Sequence, residues 1–394
     1  MRLLLVVLLL ISFVGCKKAQ VPPTKIIGAL VPWNDSSNTH PKSAAFRALL
    51  EKYRGKGLPG ISLLIHDTKG TWIGATGKAD IGNNVGFVPG TISKAASITK
   101  LFMGTLIFKL FEDSVNTGIG YRSLYMPISN WIPAGITSKI ANGNIITLGQ
   151  LLNHESGISD LIEDDAFYLA VLNNPNKKWE QEELLSFIYN KPALFHPGDT
   201  AVYSNTNTIL VSLAIEYATG KKHEDLLKES ILVPLAMNYT YYQSHDVLPN
   251  TVAQGYFDLY NNNSLVNVSN LITGSGNGYG GMYSNLFDLY KFADALFLKQ
   301  TFLKPSSFAR MQTYGKQDDT SLYGYGLQKT FLTRGIDAGI GHKGRDLGYT
   351  ANLFYFPNKN VLHIFFVNYG TDSDSDLENI FRDFQEALVE LSLQ

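Results

Sequence analysis

The sequence predicts an α+β fold: an antiparallel sheet built from both chain ends and flanked by helices, plus a mostly helical region between them. Three observations carry this. Strand-like runs lie near both ends, "GISLLIHD" and "TWIGATGKAD" early, "TANLFYFP" and "VLHIFFVNY" late. The stretch from about 111 to 299 reads mostly as helix. The late strands are joined by turns too short for a parallel crossover, which makes them antiparallel. With 45% apolar and 17% charged residues among 394, the chain can bury a large core. A formal net charge of −1 gives no electrostatic footprint for nucleic acid, and no such partner is predicted.

Residues 1–16, "MRLLLVVLLLISFVGC", carry Arg2 and then an apolar run from Leu3 to Val14. That run is too short to span a bilayer and suits the core of a signal peptide. Cys16 is the single cysteine, which excludes a disulfide framework and a cysteine-based metal site. The ending "FVGC" resembles a bacterial lipoprotein signal. That resemblance implies lipidation of Cys16 and a protein anchored through lipid to the cell envelope, on the periplasmic or outer-surface side. The alternative is an ordinary cleaved signal. Residues 17–41, rich in Pro, Lys, Ser and Asn, read as a tether.

The folded domain is expected over 42–394, with an α/β part at about 42–110 and 300–394 and a helical part at about 111–299. In "SAAFRALLEKYRG", Phe46, Leu49, Leu50 and Tyr53 share one helical face. Two strands follow around an Asp67–Gly70 turn. A helix from about Ser97 places Ile98, Leu101, Phe102 and Leu106 toward the core. "TLGQLLNH" opens with a capping-box pattern, Thr147 to Gln150. "NTILVSLAIEYATG" ends at Gly220, a C-cap. "YGYGLQKTFL" and "GIGHKG" add strand signals, and "DLENIFRDFQEALVELSL" reads as a closing amphipathic helix.

Ser97-Ile98-Thr99-Lys100 is the one Ser-x-x-Lys in the chain. At i and i+3 of a helix the two side chains share a face. Serine is a weak nucleophile and needs a base. Lysine serves as one only when neutral, which burial and the positive helix end favour. Alone, one such match is unremarkable. Tyr-x-Asn, which can supply a proton shuttle and an orienting amide, occurs at Tyr203, Tyr260 and Tyr283. His342-Lys343-Gly344 lies on a late strand, where alternation turns His342 and Gly344 one way and Lys343 the other, away from the expected cleft.

Together, Ser97-Ile98-Thr99-Lys100, Tyr203-Ser204-Asn205 and His342-Lys343-Gly344 resemble the three motifs of the serine β-lactamase and DD-peptidase (penicillin-binding) superfamily, in particular its class C β-lactamase and esterase branch. The segments "LGQLLNHESGISDL", "FHPGDTAVYSN" and "GNGYGGMYSNLFDL" resemble flanking segments of that family, which makes Tyr283 a structural copy. The resemblance covers about 43–390. It implies a serine hydrolase in which Ser97 is acylated, Lys100 and Tyr203 share general-base and general-acid work, Asn205 orients, and His342 lines the cleft. The Ser97 and Arg345 N–H groups would form the oxyanion hole, with Gly344 and Arg345 at the substrate. Arg345 either holds a substrate carboxylate or is a solvated charge paired with Asp346. D-Ala-D-Ala peptides, β-lactams and esters share this chemistry, so a small-molecule or peptidoglycan-derived substrate is expected, with no cofactor and no metal.

Other signals are weaker. Gly276-x-Gly278-x-x-Gly281 lacks the βαβ context of a dinucleotide site and reads as a turn. Gly-x-Ser-x-Gly does not occur. The eight histidines are scattered without ligand spacing, which speaks against a zinc enzyme. His154 follows a helix end and reads as a packed or capping residue. The alternative function is a penicillin-sensing or other non-turnover binding domain on the same fold.

Overall fold

The computed structural model describes residues 22–25, 35–316, 321–370 and 375–394. The predicted signal, Cys16 and much of the tether lie outside the described residues. Among the described residues, thirteen strands follow in chain order: β1 (Gly60–Asp67), β2 (Gly70–Asp80), β3 (Val85–Gly86), β4 (Ser93–Ala96), β5 (Tyr241–Tyr242), β6 (Tyr256–Phe257), β7 (Val266–Asn267), β8 (Met282–Ser284), β9 (Leu322–Tyr323), β10 (Gln328–Thr330), β11 (Gly339–Asp346), β12 (Tyr349–Phe356) and β13 (Val361–Val367).

Eight of them form one sheet in the order β3-β2-β1-β13-β12-β11-β10-β9. Both chain ends meet at its centre, where β1 and β13 pair antiparallel with Ile61 opposite Val367. Both faces of these central strands are covered. Ile61, Leu63 and Ile65, with Phe365 and Val367, pack under helix α1 (Ser43–Gly55) and the C-terminal helix Asp376–Leu393. Leu64, Ile364 and Phe366 face the opposite core, which holds helix α2 (Thr99–Glu112). This is why "VLHIFFV" reads as a continuous apolar run. Each such side chain, fully buried, contributes about 1.5–3 kcal/mol.

The predicted Thr147/Gln150 capping box is formed, and Gly220 caps Asn205–Thr219 at φ 70°. The middle of the chain is mostly helical, as expected, and carries short strands besides: β8 pairs with β4 and β5, and β6 pairs with β7. These strands are two or three residues long, too short to show alternation. The tether is also not free over all of 17–41. The Thr24 N–H donates to Asp80, its hydroxyl donates to the Val252 carbonyl, and the Lys25 N–H donates to the Asn250 carbonyl. Ser36 and Ser37 bond to the backbone of β2, and His40 pairs with Asp67 at 3.2 Å.

Candidate active site

The cleft begins at the junction of β4 and α2. Ala96 stands at φ 49°, in the left-handed region that a non-glycine residue rarely occupies. This kink, with a bulge between Lys94 and Ala96, turns the chain from strand to helix and presents Ser97. The helix itself starts at Thr99, two residues later than expected, so Ser97 lies in the entry turn. Thr99 ties that turn down: its hydroxyl donates to the Ala96 carbonyl at 2.6 Å and accepts from the Met282 N–H at 3.2 Å.

Ser97, Lys100, Tyr203 and Asn205 converge. Lys100 Nζ lies 3.1 Å from Ser97 Oγ, and the Tyr203 hydroxyl donates to Ser97 Oγ at 3.0 Å. Lys100 Nζ also donates to Asn205 Oδ1 and to the Tyr279 carbonyl, each at 2.6 Å. Lys100 is 2% exposed, and burial drives its pKa down to about 7 against the opposing pull of Asp160 and Asp346. Asp160 accepts from Asn205 Nδ2 at 2.9 Å, and burial pushes its carboxyl up to about 6. The Tyr203 ring lies on His154, centroids 4.5 Å apart, and His154 Nδ1 accepts from the Ser204 N–H. Burial holds His154 neutral, with its pKa down to about 3. It therefore packs and positions, as expected.

On β11, His342 and Gly344 face α2 and β4, opposite Leu353 and Ala351 of the same core, and Arg345 turns to the other face, over the Phe381 ring of the C-terminal helix. Lys343 and Arg345 line the cavity, with Ser97, Tyr203 and Asn205. His342 is buried, its ring centroid 6.4 Å from that of Tyr203, and burial and Lys100 push its pKa well down. Its Nδ1 donates to the Lys343 carbonyl at 2.6 Å, since a carbonyl only accepts. Gly344 allows β11 to cross β4: a Cβ there would meet the Ala95 carbonyl oxygen at 2.2 Å. Arg345 does not pair with Asp346. Asp346 binds Lys94 at 2.6 Å and accepts from Thr273 and Ser275, while Arg345 lies 3.8 Å from Glu378. Beyond residue 341, β10 no longer pairs with β11. The Lys343 N–H goes to Gln328 Oε1 on that edge, and alternation turns the Arg345 N–H the same way.

Asp160, Tyr279 and Lys94 were not singled out from the sequence. Asp160 had a signal, an acid inside the apolar "GISDLI" run. The Tyr279 contribution is a backbone carbonyl, which leaves no trace in side-chain patterns. The Gly276–Gly281 turn that carries it has glycines at φ 99°, 96° and 100°. The fold also gathers His223, Glu224 and His245, residues able to hold a metal, with ligand atoms within 4.8 Å of one another. Hydrogen bonds engage both rings. His223 meets Glu216 and Tyr242, and His245 meets Glu224 and the Gly276 carbonyl, an arrangement that braces the glycine turn.

A family model described as Beta-lactamase matches residues 46–387. The chain is 27% identical over 323 residues to the D-alanyl-D-alanine-carboxypeptidase/endopeptidase AmpH of Escherichia coli (strain K12), covering 78% of this chain and 79% of that protein. It is 24% identical to penicillin-binding protein 4* of Bacillus subtilis (strain 168), covering 72% of this chain and 62% of that protein. Among solved structures, a D-stereospecific amidohydrolase from Streptomyces sp. superposes with a TM-score of 0.74 at 27% identity, over 86% of this chain and 97% of that one. The D-amino acid amidase from Ochrobactrum anthropi SV3 gives 0.75 at 23% identity, over 88% and 98%, a likeness of fold. With its family model spanning most of the domain, the chain belongs to the beta-lactamase family, within the serine β-lactamase and DD-peptidase superfamily of serine hydrolases.

Proposed function

We propose that this hydrolase forms an acyl-enzyme on Ser97 and cleaves amide or ester acyl substrates of the D-Ala-D-Ala peptide, β-lactam or ester kind. One observation carries the reading: Lys100 Nζ and the Tyr203 hydroxyl both lie within hydrogen-bond reach of Ser97 Oγ. Neutral Lys100, with Tyr203 beside it, takes the Ser97 proton as Oγ bonds to the acyl carbon. The amide C–N or ester C–O bond then breaks, and the proton passes through Tyr203 to the leaving group. Water releases the acyl group, and Ser97 regains a proton. The N–H groups of Ser97 and Arg345 receive the developing oxyanion. The names of the Escherichia coli and Streptomyces relatives, a carboxypeptidase/endopeptidase and an amidohydrolase, support acyl transfer from amides.

Incubation with a labelled penicillin and with a simple ester tests the proposal. Transient label and ester turnover are expected. A stable label with no turnover of either would leave a sensor instead.

The pH dependence follows from Lys100. A base must be neutral, so kcat/KM is expected to rise with pH through about 7. The Asp160 charge raises the Lys100 pKa, so its removal lowers it further. In Asp160→Asn, the amide oxygen still accepts from Asn205, and the acid limb is expected to move to lower pH. A rate loss with an unmoved limb would mean that Asp160 acts only on the fold.

A further inference from the structure

The cleft that ends at Ser97 is a cavity of about 630 Å³. One wall comes from the helix Asp165–Asn173, through Phe167, Tyr168 and Leu172. Phe257 and Leu259 stand in the same lining, contributed by a segment far away in sequence. The helix wall is held rigidly. Asp164 caps it, accepting from the N–H groups of Ala166 and Phe167, and the Phe167 ring packs against Trp179 and Phe187 at 6.0 and 5.5 Å. At the mouth the apolar surface is open to water: Leu172 is 50% exposed and Leu259 44%. Leu169, one helical turn from Leu172, is 60% exposed, and Tyr260, beside Leu259, is 69% exposed. Single exposed apolar residues are ordinary, but a run of them bordering one cleft marks a ligand surface. β11 supplies another part of the lining, at Lys343 and Arg345.

We propose that the substrate carries a large apolar group, an aryl side chain or an acyl chain of about six carbons, seated between Phe167, Leu172, Phe257 and Leu259. This rests on the acyl-enzyme reading above and narrows its substrate class. Such a group fills a space that a D-alanyl methyl leaves mostly wet. Its burial removes water from the exposed leucines. The remaining, polar end of the substrate then lies toward β11. Selectivity comes from area removed from water, so it grows with the size of the group until the cavity is full.

A series of p-nitrophenyl esters from acetyl to octanoyl tests this with the folded protein. Full burial of one methylene is worth about fourfold, so kcat/KM is expected to rise roughly tenfold or more from acetyl to hexanoyl. Leu172→Ser and Leu259→Ser change exposed side chains and leave the core intact. Each is expected to lower the hexanoyl-to-acetyl ratio severalfold, a readout that the greater hydrophobicity of the longer esters cannot imitate. Equal rates along the series, or an unchanged ratio in both variants, would overturn the proposal while leaving the acyl-enzyme reading in place. Absence of turnover with every ester, together with no adduct on Ser97, would overturn both.

Discussion

Ser97→Ala protein is expected to lose turnover by about 10⁴–10⁶-fold and to take no covalent label from a penicillin or an activated ester. Ser97 Oγ is the atom on which Lys100 and Tyr203 converge, at 3.1 and 3.0 Å. Removing it leaves the base and the acid in place with nothing to acylate. Residual rate would come from the oxyanion donors and from substrate binding alone. The side chain is partly exposed at the cleft floor, so its loss leaves no packing defect. Intact-protein mass spectrometry with peptide mapping reads the outcome. An adduct on the alanine variant would place the nucleophile elsewhere.

The second large effect belongs to Tyr203. Tyr203→Phe keeps the ring on His154 and removes only the hydroxyl that reaches Ser97. Turnover is expected to fall about 10²–10⁴-fold, the range for a positioned acid or base. Tyr283→Phe is the control. Tyr283 is buried, and its ring meets that of Tyr349 edge-on at 6.2 Å with Lys94 Nζ 5.8 Å from its centroid. It is expected to lose far less. Equal losses in the two variants, both folded, would mean that the hydroxyl of Tyr203 does not move the proton.

Much of the fold was legible because its longest elements carry strong periodicity. The Phe46, Leu49, Leu50 and Tyr53 face is buried as the pattern implied. β1, β12 and β13 are buried along most of both faces and announce themselves as apolar runs. What escaped was short or non-local. β5 to β8 span two or three residues each, and the Thr24 contacts depend on a partner some 230 residues away. At the site, spacing brought out Ser97 and Lys100, and the motifs added Tyr203 and Asn205. Strand alternation gives two faces but does not say which one meets β4, and the close approach of Gly344 to Ala95 decides it.

The pairing of β1 with β13 bears on how this chain is made. Ile61 finds its partner only when Val367 has been synthesised. At roughly 5–20 residues per second, the ribosome needs about 15–60 s to supply the residues between them. Through that interval the centre of the sheet cannot close, and the growing chain has no finished core to lock it. A chain that ripens late stays threadable. This topology thus defers folding of the sheet until the last strands have been made.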